Sequence, residues 1–118
     1  MAQYMLQFSY TSDAWAALSR KPANRSKPLA ALATKLGAKL ISLHYTMGEY
    51  DGISVIEARN DETATAVIMA AIAPGHVRAA KTTRLYTVKE TIGALKKAGG
   101  AATLRPQGLR VPVGLAWS

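Results

Sequence analysis

The feature that most constrains the fold is a pair of strand-like stretches separated by a short turn. From Lys39 to Met47 the side chains divide into two alternating faces, and a second stretch of the same kind runs from Ile53 to Arg59. A period of two is typical of strands, because successive side chains point to opposite faces of a sheet. The stretch between them, Gly48-Glu49-Tyr50-Asp51-Gly52, contains residue types that favour turns. The sequence therefore predicts a β-hairpin here.

Two further strands are predicted on either side of this hairpin. Residues Gln3 to Tyr10 alternate strictly, which predicts a strand with one apolar and aromatic face. Its other face is polar but uncharged, which suits a half-buried surface better than open solvent. Val77 to Tyr86 is predicted as a fourth strand, partly exposed because it carries Lys81, Arg84 and several threonines.

Capping residues and prolines predict the helices of the first half. Thr11-Ser12-Asp13 supplies N-capping chemistry directly after the first strand. Pro22 and Pro28 interrupt the segment that follows, so a short helix and then a longer one are expected. Gly37 is a good residue for the position just beyond the end of the second helix, because glycine tolerates positive φ.

The second half carries two more helix signals. Asn60-Asp61-Glu62 combines a cap with an acidic first turn, and it opens an alanine-rich helix from Thr63 to Ala73. Thr87 and Glu90 have the spacing of a capping box, in which each side chain satisfies a backbone amide. The helix that follows is expected to stop at Gly99-Gly100.

This order of elements predicts an α+β protein. It is the ferredoxin-like βαββαβ arrangement, with a four-stranded antiparallel sheet and an extra C-terminal helix. We expect one domain over residues 1–98 and a tail over 99–118 that packs on the domain or on a partner subunit. Such a sheet leaves one face bare, here with side chains such as Met5, Gln7, Leu40 and His44. A homodimer or higher homo-oligomer would bury it.

Composition excludes several classes of protein. With no cysteine, the chain has no disulfide, thiolate metal site or cysteine nucleophile. The N-terminus lacks the pattern of a signal peptide and no apolar run has the length of a membrane span, so the expected location is the cytoplasm and no membrane partner is expected. The net charge is +8, with six basic and no acidic residues between Ala14 and Gly48. This asymmetry favours small anionic ligands, although nucleic-acid association through a basic surface stays open as a weaker alternative.

His44 is the best single candidate for chemistry. It lies on the strand that enters the turn, on the predicted face of Ser42 and Thr46, and a histidine suits proton transfer near neutral pH. The alternative is a histidine bonded to a neighbour across the sheet. His76 follows Pro74-Gly75 and would join a site if its loop folds over the sheet edge. The spacing of the two histidines and the carboxylates selects no metal site, and no cofactor is predicted.

The other candidates are structural or ligand-binding. Gly48 and Gly52 permit the positive φ of tight turns, and Asp51 is expected to cap its own turn through its side chain. Tyr50 is interpreted as a packing residue or a ligand contact. Glu57 sits among apolar residues and needs a partner, for which Arg84 and Lys81 are the predicted types. Gln7, His44 and Arg84 would converge in one cavity if the strand registers allow it.

The hairpin and its surroundings resemble a known family. The residues from Leu43 to Asp51 look like the Gly-x-Tyr-Asp turn of the GYD domain family, and the strand from Tyr4 to Thr11 is similar to that family's first strand. The segments Lys81-Thr82-Thr83-Arg84-Leu85 and Arg105-Pro106 also resemble parts of the family. The resemblance as a whole covers residues 3 to about 106, and residues 107–118 lie outside it. The resemblance implies a dimeric α/β barrel, in which two ferredoxin-like sheets face each other. It implies no activity.

Three functions remain open at this point. The first is a homodimer that holds a small anionic or aromatic molecule at the sheet face, between sheet and helices, with cofactor-free acid–base chemistry by His44. The second is a non-catalytic binding or assembly module whose tail locks subunits together. The third is nucleic-acid association. Whether the protein is an enzyme is left open by the residues alone.

Overall fold

The computed structural model describes residues 1–102, and its helices and strands follow the predicted order. The chain divides into two compact units, Met1–Leu85 and a unit that begins at Tyr86, and each is described by itself. The elements are β1 (Ala2–Tyr10), α1 (Ser12–Arg20), α2 (Ser26–Lys35), β2 (Lys39–Tyr45), β3 (Gly52–Ala58), α3 (Asp61–Ile72), β4 (Val77–Leu85) and α4 (Val88–Ala102). The predicted tail mostly lies outside the described residues, so the division into 1–98 and 99–118 stays a prediction.

The four strands form one sheet in the order β2-β3-β1-β4, and every neighbouring pair is antiparallel. Two of the connections pass over a strand: β1 leads through α1 and α2 to β2, and β3 leads through α3 to β4. This is the split βαβ arrangement of ferredoxin-like folds. The predicted fold class, including the helix after β4, is therefore confirmed.

The predicted helix caps of the first unit are present. The side chain of Thr11 accepts a hydrogen bond from the amide of Ala14 at 3.1 Å, and Asn60 accepts one from the amide of Thr63 at 2.9 Å. Gly37 follows the C-cap Leu36 with a φ of +86°, the left-handed conformation that glycine adopts readily. Local side-chain chemistry thus sets these boundaries.

In the second unit, the capping box of α4 is present but its end differs from the prediction. The amide of Thr87 donates to the Glu90 carboxylate at 2.9 Å, and the amide of Glu90 donates to the Thr87 hydroxyl at 3.0 Å. The expected stop at Gly99-Gly100 is wrong, since α4 continues to Ala102. Each glycine in a helix costs about 1 kcal/mol relative to alanine. Gly99 and Gly100 therefore lower the stability of α4 but do not end the helix.

An irregularity in β2 changes the predicted faces of that strand. Leu40 lies opposite Ile56 and Ser42 lies opposite Val55, so Ile41 is an extra residue on β2. Such a bulge shifts the alternation by one position. Leu40 therefore shares a face with Leu43 and Tyr45, and the prediction that it lies with Ser42 and His44 is wrong.

The core lies between one face of the sheet and the helices α2 and α3. We call this the helix face; its central residues are Tyr4, Leu6 and Phe8 of β1 with Gly52, Ser54 and Ile56 of β3. Small residues of the helices allow close packing on it, because Ala33 and Ala64 are essentially inaccessible to solvent. Among the described residues, no helix is long and apolar enough to cross a membrane.

Candidate functional site

A cavity of about 170 Å³ lies within the first unit, between the helix face of the sheet and the helices α2 and α3. Its walls are mainly apolar and come from both layers. They include Leu6, Phe8, Leu29, Leu32, Leu43 and Ala71. An apolar cavity of about 150 Å³ is large enough to bind benzene. The space is therefore suited to a molecule with one six-membered ring or a branched aliphatic group.

Ser54 lies in the wall of this cavity on the central strand β3, opposite Leu6. The residue is 1% exposed, and its Oγ has no hydrogen-bond partner among the described residues. A buried hydroxyl without a partner costs about 1–3 kcal/mol. This atom therefore has an unused capacity to bond to whatever occupies the cavity.

The remaining polar groups of the cavity are contributed by Tyr10, Arg25 and His76. Tyr10 is the last residue of β1, and Arg25 is the residue immediately before α2. His76 belongs to the loop before β4, where its carbonyl accepts a hydrogen bond from the amide of Thr11 at 2.9 Å. The cavity thus has an apolar body with one cationic residue, Arg25, in its lining.

The hydroxyl of Tyr10 remains protonated over the physiological range. Burial is the main cause that raises its pKa, and the hydrogen bond with the Tyr45 hydroxyl, at 3.3 Å, raises it further. The guanidinium of Arg25 acts in the opposite direction and does not cancel these effects. Tyr10 is consequently a hydrogen-bond donor or acceptor at this site and not a phenolate.

Four aromatic residues surround the end of β1. The ring of Tyr10 lies 5.3 Å from that of Phe8 and 5.2 Å from that of Trp15, between ring centroids, and Tyr45 contacts all three. The carboxylate of Asp51 accepts hydrogen bonds from the amide of Tyr10 at 2.9 Å and from the indole of Trp15 at 3.2 Å. The predicted cap of Asp51 on its own turn is therefore wrong: its side chain ties the hairpin to β1 and α1.

The turn itself is closed by Thr46. Its amide donates to the carbonyl of Asp51 at 2.9 Å, and its hydroxyl donates to the carbonyl of Tyr50 at 2.7 Å. Positive φ values occur among described residues only at Gly37 and Gly75, so the turn does not use this property of Gly48 or Gly52.

Three predicted site residues lie on the other side of the sheet, away from α2 and α3. We call this the far face; it carries Gln3, Met5, Gln7, Ile53, Val55, Glu57 and His44. His44 lies opposite Ile53, whereas its neighbour Leu43 lines the cavity. His44, Gln7 and Glu57 are therefore separated from the cavity by the sheet, and the cavity lining does not include them.

Arg84 lies on the helix face, opposite Tyr4, and its guanidinium lies 5.6 Å from the centre of the Tyr4 ring. It also donates to the carbonyl of Leu85. The expected convergence of Gln7, His44 and Arg84 is wrong, because Arg84 and Gln7 point to opposite faces. The same register excludes Arg84 as a partner of Glu57, which lies opposite Gln3 and Lys39.

Lys81 shares the far face with Glu57 but lies opposite Gln7, whereas Glu57 lies opposite Gln3. The two side chains are therefore four positions apart along the strands, with β1 between them. Lys81 is too far along the sheet to be the predicted ion-pair partner of Glu57. Tyr50 lies in the turn and does not line the cavity. Of the predicted ligand-binding residues, His76 alone is part of the cavity lining.

Three polar residues of the cavity, Tyr10, Arg25 and Ser54, are not among the site residues predicted from the sequence. Arg25 lies between Pro22 and Pro28, in a segment for which the sequence predicts no regular structure. Ser54 is a single small polar residue within a predicted strand, and no motif around it indicates a site. The alternation from Gln3 to Tyr10 did place Tyr10 on the apolar face. Within residues 1–102, no group of three or more histidines and carboxylates is arranged to hold a metal ion.

Solved structures of other proteins share the fold at low sequence identity. TTHA0845 from Thermus thermophilus is 13% identical, with a TM-score of 0.50 over 75% of this chain and 96% of that one. FFRP-DM1 is 15% identical, with a TM-score of 0.52 over 73% of this chain and 100% of that one. MtbAldR is 16% identical, with a TM-score of 0.50 over 73% of this chain and 52% of that one. These likenesses establish the ferredoxin-like fold alone.

No curated protein sequence matches this chain. The model of the GYD domain matches residues 4–95, which include β1 from Tyr4 onward, the other three strands, the hairpin and the cavity. The match covers most of the chain and agrees with the turn Gly48-Glu49-Tyr50-Asp51. The chain therefore belongs to the GYD domain family.

Proposed function

We propose that this GYD domain binds a small molecule in the cavity between the helix face and the helices α2 and α3. The observation that carries the proposal is the buried Oγ of Ser54, which has no partner among the described residues and lines a cavity whose walls are mainly apolar. Apolar walls supply most of the affinity of small-molecule sites, and a few polar groups set the orientation of the ligand.

The size of the cavity limits the ligand to a small one. A volume of about 170 Å³ accommodates one six-membered ring. A Kd on the order of 1 mM corresponds to about 4 kcal/mol of binding free energy. For a probe of eight heavy atoms this is about 0.5 kcal/mol per atom, which lies within the range found for small ligands. Benzyl alcohol, a neutral ring compound, is a suitable first probe.

The test is a titration of the isotope-labelled protein with benzyl alcohol, followed by amide NMR. We expect saturable shifts of the amide signals of cavity residues such as Leu32, Ser54 and Ala71. The substitution Ala71→Leu would fill part of the cavity and should weaken binding at least fivefold. This corresponds to about 1 kcal/mol of binding free energy, roughly the burial of one methylene of the ligand.

The matched control is Ala31→Leu. Ala31 is an exposed residue of α2 outside the cavity lining, so the same substitution there should leave binding unchanged. No saturable shifts at cavity residues, or equal weakening by both substitutions, would show that the cavity is not a binding site.

A second candidate function is self-association through the far face. The central part of this face is uncharged, with Met5, Gln7, Ile53 and Val55 side by side on β1 and β3. All four are half-buried in the isolated chain, so a second copy would cover a largely apolar patch. This arrangement supports the homodimer, as a dimeric α/β barrel.

Light scattering tests the homodimer. The wild-type protein is expected at twice the chain mass of 12.6 kDa, and Val55→Lys should return it to one chain mass. Thr65→Lys, at an exposed position of α3, is the control that adds the same charge elsewhere. A monomeric wild-type protein would contradict self-association.

Acid–base chemistry by His44, with ligand contacts from Gln7 and Glu57, depends on that homodimer. In a barrel these residues would line the interior between two sheets. We expect His44→Ala to remove any turnover found there, whereas unchanged turnover would remove His44 from this role. Ligand contacts of Tyr50 and Arg84, nucleic-acid association and the cytoplasmic location also stay predictions.

A further inference from the structure

We infer that the ligand of the cavity is a small carboxylate with one apolar ring or branched chain, held by Arg25 and Tyr10. This inference rests on the proposed function and names the chemical class of the molecule. The apolar part would lie against the cavity walls, and the carboxylate would lie beside the guanidinium and the hydroxyl. Four observations support this class.

The first observation is that Arg25 has an unused charge. Within the described residues its guanidinium makes no ion pair, and it interacts with the Tyr10 hydroxyl. A guanidinium presents five N–H donors in a planar fork that matches the two oxygens of a carboxylate. A single phenol uses only part of that capacity.

The second observation is that the Tyr10 hydroxyl is available as a donor. It lines the same cavity and stays protonated at neutral pH, because burial and the hydrogen bond with Tyr45 disfavour the phenolate. Either hydroxyl of the Tyr10–Tyr45 pair can be the donor, so the single O–H of Tyr10 can turn to a carboxylate oxygen that also accepts from Arg25 while Tyr45 donates to Tyr10. The pair therefore offers an anion both charge and a hydrogen bond.

The third observation concerns the local field. Helix α2 begins directly after Arg25, and its first turn contains no acidic residue. The positive end of the helix dipole thus adds to the charge of Arg25. The carboxylate that contacts Tyr10, that of Asp51, is already engaged by the amide of Tyr10 and the indole of Trp15.

The fourth observation is the gradient of exposure along the cavity. Arg25 is exposed and Tyr10 is half-buried, whereas Leu6 and Ser54 are buried. A carboxylate beside Arg25 would keep part of its hydration, so its desolvation cost is small.

The experiment compares benzoate with benzyl alcohol, because the two share a ring and differ in charge. Dissociation constants are measured by amide NMR at constant ionic strength for the wild-type protein, Arg25→Gln and Arg20→Gln. Arg20 is an exposed residue of α1 outside the cavity lining, so its replacement gives the same loss of charge without the contact. Arg25 is also exposed, and a circular dichroism melt checks that both variants fold.

We expect the wild-type protein to bind benzoate about tenfold more tightly than benzyl alcohol, the effect of one charged hydrogen-bonded pair. This preference should disappear in Arg25→Gln and persist in Arg20→Gln. Equal binding of both probes to the wild-type protein would overturn the carboxylate inference and leave the proposed function standing. A preference that survives Arg25→Gln would overturn the role of Arg25, and binding of neither probe at the cavity would overturn both proposals.

Discussion

The ring of Phe8 lies directly against the backbone of Gly52. A Cβ atom added to Gly52 would come within 3.0 Å of three atoms of that ring, although the φ of Gly52 is not positive. The glycine at the end of the turn is therefore required by a close approach and not by backbone conformation. Phe8 in turn lines the cavity, so this contact links the hairpin to the candidate site.

Gly52→Ala is expected to destabilise the protein by about 1–3 kcal/mol, because the added methyl group must displace the buried Phe8 ring. Gly48→Ala is the control, since a Cβ there meets no atom within 4 Å and φ is not positive. That change should stay within about 0.5 kcal/mol of the wild-type protein. Urea unfolding measures both, and equal stability of the two variants would contradict the contact with Phe8.

Asp51→Ala is expected to cost about 1.5–3 kcal/mol, because it leaves the amide of Tyr10 and the indole of Trp15 without their charged acceptor. Glu49→Ala removes an exposed carboxylate two residues away and should cost less than about 0.5 kcal/mol. Thermal unfolding followed by tryptophan fluorescence compares them. Similar losses in the two variants would mean that the charge of the turn matters and the hydrogen bonds of Asp51 do not.

The features that the sequence predicts well are those that depend on nearby residues. The period of two from Gln3 to Tyr10 identifies β1, and the caps at Thr11, Asn60 and Thr87 identify three helix starts, because each cap bonds to an amide three residues away. The order of these elements then leaves few topologies, and the ferredoxin-like sheet is among them.

The candidate site was harder to predict because its residues meet through distant pairings. Asp51 contacts Tyr10 and Trp15, which are 41 and 36 residues away. The bulge at Ile41 moves Leu40 to the helix face, and a single extra residue leaves no clear mark in the alternation. The face of the sheet on which Arg84 lies depends on the register of β4 against β1. The sequence does not give this register, so it does not show that Arg84 and Gln7 lie on opposite faces.

Tyr10 is expected to make the protein less stable in alkali. Its pKa is raised in the folded state, so above the unfolded value of about 10 the unfolded chain releases a proton that the folded chain retains. The contribution of the Tyr10 hydroxyl to the free energy of unfolding is therefore fully present below about pH 10, and it is lost as the pH rises further. Between the unfolded and folded pKa values a difference of one proton gives a slope of about 1.4 kcal/mol per pH unit, and the partial exposure of Tyr10 narrows the pH range over which this slope applies.

Tyr10→Phe should remove this contribution. Unfolding free energies of both proteins, measured from pH 8 to about pH 11, test it, because the lysines and other tyrosines are common to both. The slope above pH 10 should be shallower in Tyr10→Phe. Parallel curves would show that the Tyr10 hydroxyl has the same proton affinity in the folded and unfolded chains.

Ser54→Ala is expected to stabilise the ligand-free protein by about 0.5–2 kcal/mol, since it removes a buried hydroxyl that has no partner among the described residues. Ile56→Val, two positions along the same strand and equally buried, is the comparison and should cost about 0.5–1.5 kcal/mol. Urea unfolding without added ligand measures both changes. A loss of stability in Ser54→Ala would mean that Oγ is bonded in solution, for example to a water in the cavity. Its hydroxyl would then be an occupied contact that a ligand has to displace.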